Sequence, residues 1–196
     1  MLKNLSRFFL LNFFKYGSIN YLFFTLSSNP TSFKDFLIRD ELKKNIKEAG
    51  FEFPSDVQKQ CLPHSLTGID ILCQGKAGMG KTAIFIFTLI NRILKGEIKG
   101  DLSCLILCHT RELAYQISKE FSRFSKGLSN MKICLLIGGD PEKNQIKELK
   151  EKPAPNVIIG CPGRILSLIK KKVLNLNNIQ AFVIDECDKM LSALGK

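Results

Sequence analysis

Gly75-Lys76-Ala77-Gly78-Met79-Gly80-Lys81-Thr82 follows the short apolar run Ile69-Asp70-Ile71-Leu72-Cys73 and precedes Ala83-Ile84-Phe85-Ile86-Phe87-Thr88-Leu89-Ile90. A strand, a glycine-rich turn and a helix start would bring several backbone N–H groups to one point, where the helix dipole also favours anions. Gly75, Gly78 and Gly80 supply backbone freedom that a Cβ would remove. Lys81 is then placed to reach the β- and γ-phosphates of a nucleotide, and the Thr82 hydroxyl to ligate Mg²⁺. The stretch reads as a phosphate loop, and Gly75 to Thr82 is the expected nucleotide-binding set.

A second element stands far downstream, where Phe182-Val183-Ile184 leads into Asp185-Glu186-Cys187-Asp188. Acidic residues after an apolar strand are ordinary, and read alone they describe a helix N-terminus with favourably placed carboxylates. Paired with a phosphate loop they acquire a chemical role. Asp185 can hold the shell of a magnesium ion, and Glu186 can orient or deprotonate an attacking water. Glu186, Lys81 and Asp185 are thus the candidate catalytic residues, and Thr82 and Asp185 the candidate metal ligands.

Between and around these elements the hydrophobic pattern is regular from Phe33 onward. Strand-like runs occur at Ile69–Cys73, Leu102–Cys108, Met131–Ile137, Asn156–Ile159 and Ala181–Ile184. Helical stretches run over Glu41–Ala49, from the Ser55 N-cap onward, and over Lys81–Lys95, Arg111–Phe124, Glu142–Glu151 and Gly163–Lys170. Continuous apolar strands alternating with helices predict an α/β fold, a parallel sheet with helices on both faces. Both nucleotide motifs then fall at the carboxyl ends of strands, where such sheets bind ligands.

The 196 residues suffice for one domain with a sizeable core. Lys and Arg number 29 against 18 Asp and Glu, a net charge of +11 that suits a polyanionic partner. Surplus lysine also solubilises a surface, so charge alone leaves nucleic acid undecided. Seven cysteines without a CxxC pair fit buried free thiols rather than a disulfide framework or a zinc site. Residues 1–32 hold Lys3, Arg7 and Lys15, no acidic residue and many Phe, Leu, Asn and Ser. The run Phe8–Phe14 is too short to span a bilayer. The segment reads as part of a presequence or as a disordered extension, and 33–196 as the folded domain.

The motifs lying between the nucleotide elements resemble those of the first RecA-like domain of DEAD-box RNA helicases, over about Phe33 to Leu191. Cys108-His109-Thr110-Arg111-Glu112-Leu113-Ala114 and Asp185-Glu186-Cys187-Asp188 match the DECD subgroup, which acts in splicing and nuclear mRNA export; His109 and Cys187 stand where most of the family has Pro and Ala. Gly50 to Gln58 resembles the family's adenine-reading Q motif. By that resemblance Gln58 is the adenine selector and Phe33 the aromatic that packs on the base.

The resemblance further implies that Thr110, Arg111, Glu112, Gly138, Gly139, Pro162, Gly163 and Arg164 grip one RNA strand through its backbone, without reading bases. It implies an ATP-dependent RNA helicase using ATP and Mg²⁺, a nuclear location (an organelle if residues 1–32 are a presequence), splicing or export proteins as partners, and no membrane. Gly75 replaces the usual Ala, and Cys161 replaces a Thr before Pro162-Gly163-Arg164, which removes one hydroxyl from the expected RNA contacts.

The sequence reaches Lys196 before the family's Ser-Ala-Thr motif and second domain. It is therefore expected to be an N-terminal fragment, with a truncated non-catalytic binding domain as the alternative. In the family the second domain supplies arginines worth about three to five orders of magnitude in rate. The 196 residues alone are expected to bind nucleotide weakly and hydrolyse it negligibly.

Overall fold

The computed structural model describes residues 30–192, and of the extension read at residues 1–32 all but residues 30–32 fall outside them. A 3₁₀ turn at Phe33–Asp35 leads into α1 (Asp40–Glu48) and α2 (Asp56–Leu66). There follow α3 (Lys81–Leu94), β1 (Cys104–Leu107), α4 (Arg111–Phe124), β2 (Ile133–Leu136), α5 (Glu142–Leu149), β3 (Val157–Gly160), α6 (Pro162–Lys170), β4 (Ala181–Ile184) and α7 (Cys187–Ser192). The four strands form one parallel sheet in the order β2-β3-β1-β4.

Side-chain alternation divides the core between the two faces of this sheet. Cys104, Ile106, Val157 and Ile159 point to one side, where they meet Leu42, Ile46, Leu62, Phe87 and Ile117 of α1 to α4. Leu105, Leu107, Cys134, Leu136 and Ile158 point to the other, against Leu149, Ile165 and Leu168 of α5 and α6. Helices therefore cover both faces. On the first side Phe33, Phe36, Phe51, Phe87 and Phe124 form a chain of tilted and edge-to-face ring contacts. Each such pair adds about 0.5–1.5 kcal/mol beyond area burial.

One expected strand is not a strand. Ile69–Cys73 lies outside the sheet, and β4 has β1 as its ladder partner among the described residues. Ile69 is 52% exposed and Leu72 71% exposed, so the run's apolar character is not spent on a core. An apolar run becomes a strand only where a neighbouring backbone offers hydrogen bonds, and hydropathy does not record that neighbour.

Candidate functional site

The register of the sheet assembles the site. Leu107 lies level with both Gly160 and Ile184, and Leu136 lies level with Gly160. The residues just beyond these strand ends therefore share one rim: His109 to Arg111 after β1, Gly138 and Gly139 after β2, Pro162 to Arg164 after β3, and Asp185 and Glu186 after β4. The motifs that follow the four strands emerge on the same edge.

The phosphate loop meets this rim at the start of α3. Gly80, the N-cap of α3, takes φ of 77°, and Gly78 takes φ of 80°, both in the left-handed region. A Cβ on Gly78 would meet nothing within 4 Å, so the loop's backbone is open to an incoming group. Lys81 folds its ammonium back over this loop, donating to the carbonyl oxygens of Gly75 and, at 2.7 Å, Lys76. The charge of this lysine favours the ionised form of Asp185 across the rim.

The α2 helix holds the loop from behind. Ser55 and Gln58 form a capping box at its N-terminus, and both side chains also reach forward. Ser55 Oγ donates to the Met79 carbonyl at 2.8 Å, and Gln58 Nε2 donates to the Gly80 carbonyl at 3.1 Å. Gln58 is 2% exposed, and its Oε1 accepts from the Ser55 N–H at 3.0 Å. Each end of the amide keeps one further bonding position, which pairing with an adenine edge requires.

Across the rim, Glu186 sits in the left-handed region at φ of 51°, where a side chain with a Cβ is strained. Its N–H donates to Asp185 Oδ1 at 3.0 Å. Its carboxylate lies between two cationic or ionisable groups, with Lys189 Nζ at 2.8 Å and His109 Nδ1 at 3.2 Å. Burial pushes the Asp185 carboxyl above its usual range; the Glu186 N–H and the Lys81 charge offset this, while the Glu186 charge adds to it. A poorly solvated carboxylate of this kind gains from a cation. Asp185 with the Thr82 hydroxyl offers the hard oxygen donors that Mg²⁺ prefers. No cluster of three His, Cys, Asp or Glu side chains able to hold a metal occurs among the described residues. A magnesium ion shared with phosphates needs fewer protein ligands than that.

On the part of the rim expected to grip RNA, two arginines flank the 138–140 loop. A Cβ built on Gly139, at φ of 96°, would come within 2.7 Å of Arg111 Nη1, and one on Gly138 within 3.1 Å of Nη2. Only glycines let that guanidinium lie against the loop. From the other side Arg164 donates to the Asp140 carbonyl at 3.1 Å and to Gln145 Oε1 at 2.8 Å. The Thr110 hydroxyl accepts from the Leu113 N–H at 3.1 Å and so caps α4. Pro162 opens α6, Gly163 and Glu112 are exposed, and Cys161 stands at the α6 N-cap without a side-chain cap bond.

Phe33, expected to pack on a base, is 5% exposed, with its ring against Phe36, Phe51 and Phe87. An isolated aromatic gains more from a core of rings than from a wet surface, and the sequence does not say which it faces. Sequence reasoning also missed the Glu186–His109 contact, the Arg164–Gln145 bond and the Ser55–Met79 bond. The Ser55-x-x-Gln58 capping-box pattern signals the bonds within the helix start, while the reach to Met79 has no local signal.

A family profile described as DEAD/DEAH box helicase matches residues 55–196. The chain is 47% identical over 169 residues to the ATP-dependent RNA helicase sub2 of Aspergillus fumigatus, covering 86% of this chain and 37% of that protein. It is likewise 47% identical over 167 residues to the SUB2 helicase of Coccidioides immitis, covering 85% of this chain and 37% of that protein. The chain thus spans well under half the length of these curated relatives. Among solved structures, a DEAD box protein from the hyperthermophile Methanococcus jannaschii superposes with a TM-score of 0.76 at 38% identity, covering 85% of this chain and 44% of that one.

Proposed function

We propose that this chain, which belongs to the DEAD/DEAH box helicase family, is the ATP-binding and RNA-gripping first domain of an ATP-dependent RNA helicase serving splicing and nuclear mRNA export. The observation that carries the reading is the shared rim: Arg111, Gly139, Arg164 and Asp185 each follow a strand of one sheet, and the Lys81 charge is felt by Asp185 at that edge. Nucleotide and RNA would sit side by side on one edge.

In this reading the loop N–H groups and Lys81 bind the phosphates, and Gln58 meets the adenine edge. Mg²⁺, held by Thr82 and Asp185, would neutralise charge on the phosphates. Glu186, with His109 beside it and Lys189 paired to it, orients a water and accepts its proton. Arg111 and Arg164, with the N–H groups of Gly139 and Gly163, hold RNA phosphates and sugars, a contact that reads no sequence.

Fluorescence anisotropy tests the reading on the chain itself. A labelled ATP analogue with Mg²⁺ should bind and be displaced by ATP. A labelled single-stranded RNA should bind with little base preference and lose roughly tenfold or more in affinity on Arg111→Ala with Arg164→Ala. RNA binding indifferent to both arginines would overturn the RNA assignment. Absence of ATP binding would overturn the nucleotide assignment. The splicing and export role is tested separately, by whether the endogenous protein is recovered from nuclei on polyadenylated RNA after crosslinking.

A further inference from the structure

We propose that Cys61 and Cys73 form a site of reversible covalent modification, an internal disulfide that clamps the segment entering the phosphate loop to the helix carrying Gln58. Their Sγ atoms lie 3.6 Å apart although the residues are 12 apart in sequence. Cys61 is one turn beyond Gln58 on α2, and Cys73 is two residues before Gly75. From Thr67 to Gly78 every residue is exposed except Cys73. That thiol is the inward anchor of an otherwise outward-facing segment, and its contact is with Cys61. Both sulfurs pack against the apolar core formed by α1 to α4 and the sheet.

A peroxide supplies the oxidising equivalents. Hydrogen peroxide attacked by the Cys73 sulfur gives a sulfenic acid: an S–O bond forms, the O–O bond breaks, and the departing hydroxide takes up the thiol proton as water. The Cys61 sulfur then attacks the Cys73 sulfur. An S–S bond forms, the S–O bond breaks, and the second hydroxide leaves as water with the Cys61 proton. Two electrons pass from the thiol pair to the peroxide. Burial first, and then the adjoining Cys73, pushes the Cys61 thiol up to about 12. Cys61 is therefore suited to the second, intramolecular step, where proximity compensates for low acidity. A dithiol reductant reverses the bond by thiol–disulfide exchange.

The consequence rests on the nucleotide-site reading above. Closing the sulfurs from 3.6 Å to a bond of about 2 Å draws the residue before Gln74 and Gly75 toward α2. Lys81 already lies on the carbonyls of Gly75 and Lys76, and this arrangement must open to admit phosphates. A covalent clamp beside it resists that opening. The oxidised chain should bind nucleotide more weakly.

The test treats the 196-residue chain with hydrogen peroxide, blocks residual thiols, and maps peptides by mass. The expected result, after tryptic cleavage, is the single peptide Gln60–Lys76 lighter by two hydrogen atoms and refractory to thiol blocking until it is reduced. Oxidation should weaken labelled ATP analogue binding by roughly tenfold, an effect that dithiothreitol reverses and that Cys61→Ser and Cys73→Ser each abolish. A bond formed elsewhere, or none, overturns the site. A Cys61–Cys73 bond with unchanged nucleotide affinity overturns the clamp. Failure of the nucleotide reading itself would show differently, as no ATP binding by the reduced chain while the peptide map still reports the bond.

Discussion

His109 Nδ1 lies 3.2 Å from Glu186 Oε2, joining the segment after β1 to the strained residue after β4. The Nδ1 atom is buried and makes no hydrogen bond of sound geometry, so the carboxylate is held beside it rather than firmly bonded. Glu186 therefore keeps its place by backbone shape as much as by its partners. Thr110, the next residue along, caps the helix that begins with Arg111. A shift of that helix would be felt at Glu186 through one side chain.

The strain at Glu186 can be measured. Glu186→Ala and Glu186→Gly both remove the contacts to His109 and Lys189, but only alanine keeps a Cβ at φ of 51°. The glycine variant should be more stable to urea than the alanine variant by about 1 kcal/mol. Equal stability would mean that the left-handed backbone costs nothing here.

Lys81 should matter to ligand and hardly to fold. Its ammonium donates to two carbonyls of its own loop. Lys81→Ala should change unfolding free energy by no more than about 0.5 kcal/mol. Affinity for the ATP analogue should fall by about tenfold or more, the loss of roughly one charge-assisted bond. A variant that unfolds early in urea would show the lysine to be structural.

Gly160 makes the opposite prediction. A Cβ there would stand 2.4 Å from the Leu136 carbonyl oxygen, and backbone in a buried sheet cannot step aside. Gly160→Ala should cost roughly 1–3 kcal/mol, read from the urea midpoint. A midpoint at or above that of the parent chain would refute the close approach.

Burial raises the Glu148 carboxyl above its usual value, an effect the nearby Glu151 charge adds to, while a hydrogen bond from Cys134 and the Lys132 charge work against it. The folded chain thus binds this proton more tightly than the unfolded chain. Its stabilising contribution is complete below the unfolded pKa and is lost as pH rises through the raised value. Glu148→Gln should therefore raise the melting temperature at about pH 7 relative to the parent, and the gain should shrink toward about pH 4, near the ordinary glutamate value. A gain that grows on acidification would contradict the shift.

The elements most legible in the sequence were those whose pattern and partners are local. Arg111–Phe124 was read with the bounds it has, because its apolar residues recur at helical spacing and Thr110 caps it. The rim could be anticipated from strand ends alone, since parallel register aligns them. What escaped depends on distant neighbours. Ile69–Cys73 has the composition of a strand and no ladder to join. Cys61 and Cys73 share no pattern, and only the packing of a helix against a loop brings their sulfurs together.

The unpaired stretch at Ile69–Cys73 also governs how the chain behaves in a test tube. Ile69, Ile71 and Leu72 face solvent beside backbone that makes no ladder bonds. Such a segment is a template for strands of other molecules. The net charge of +11 opposes that encounter through mutual repulsion. Salt weakens the repulsion while leaving the apolar attraction intact. Light scattering by concentrated samples should therefore rise with ionic strength, against the usual expectation that salt disperses a basic protein.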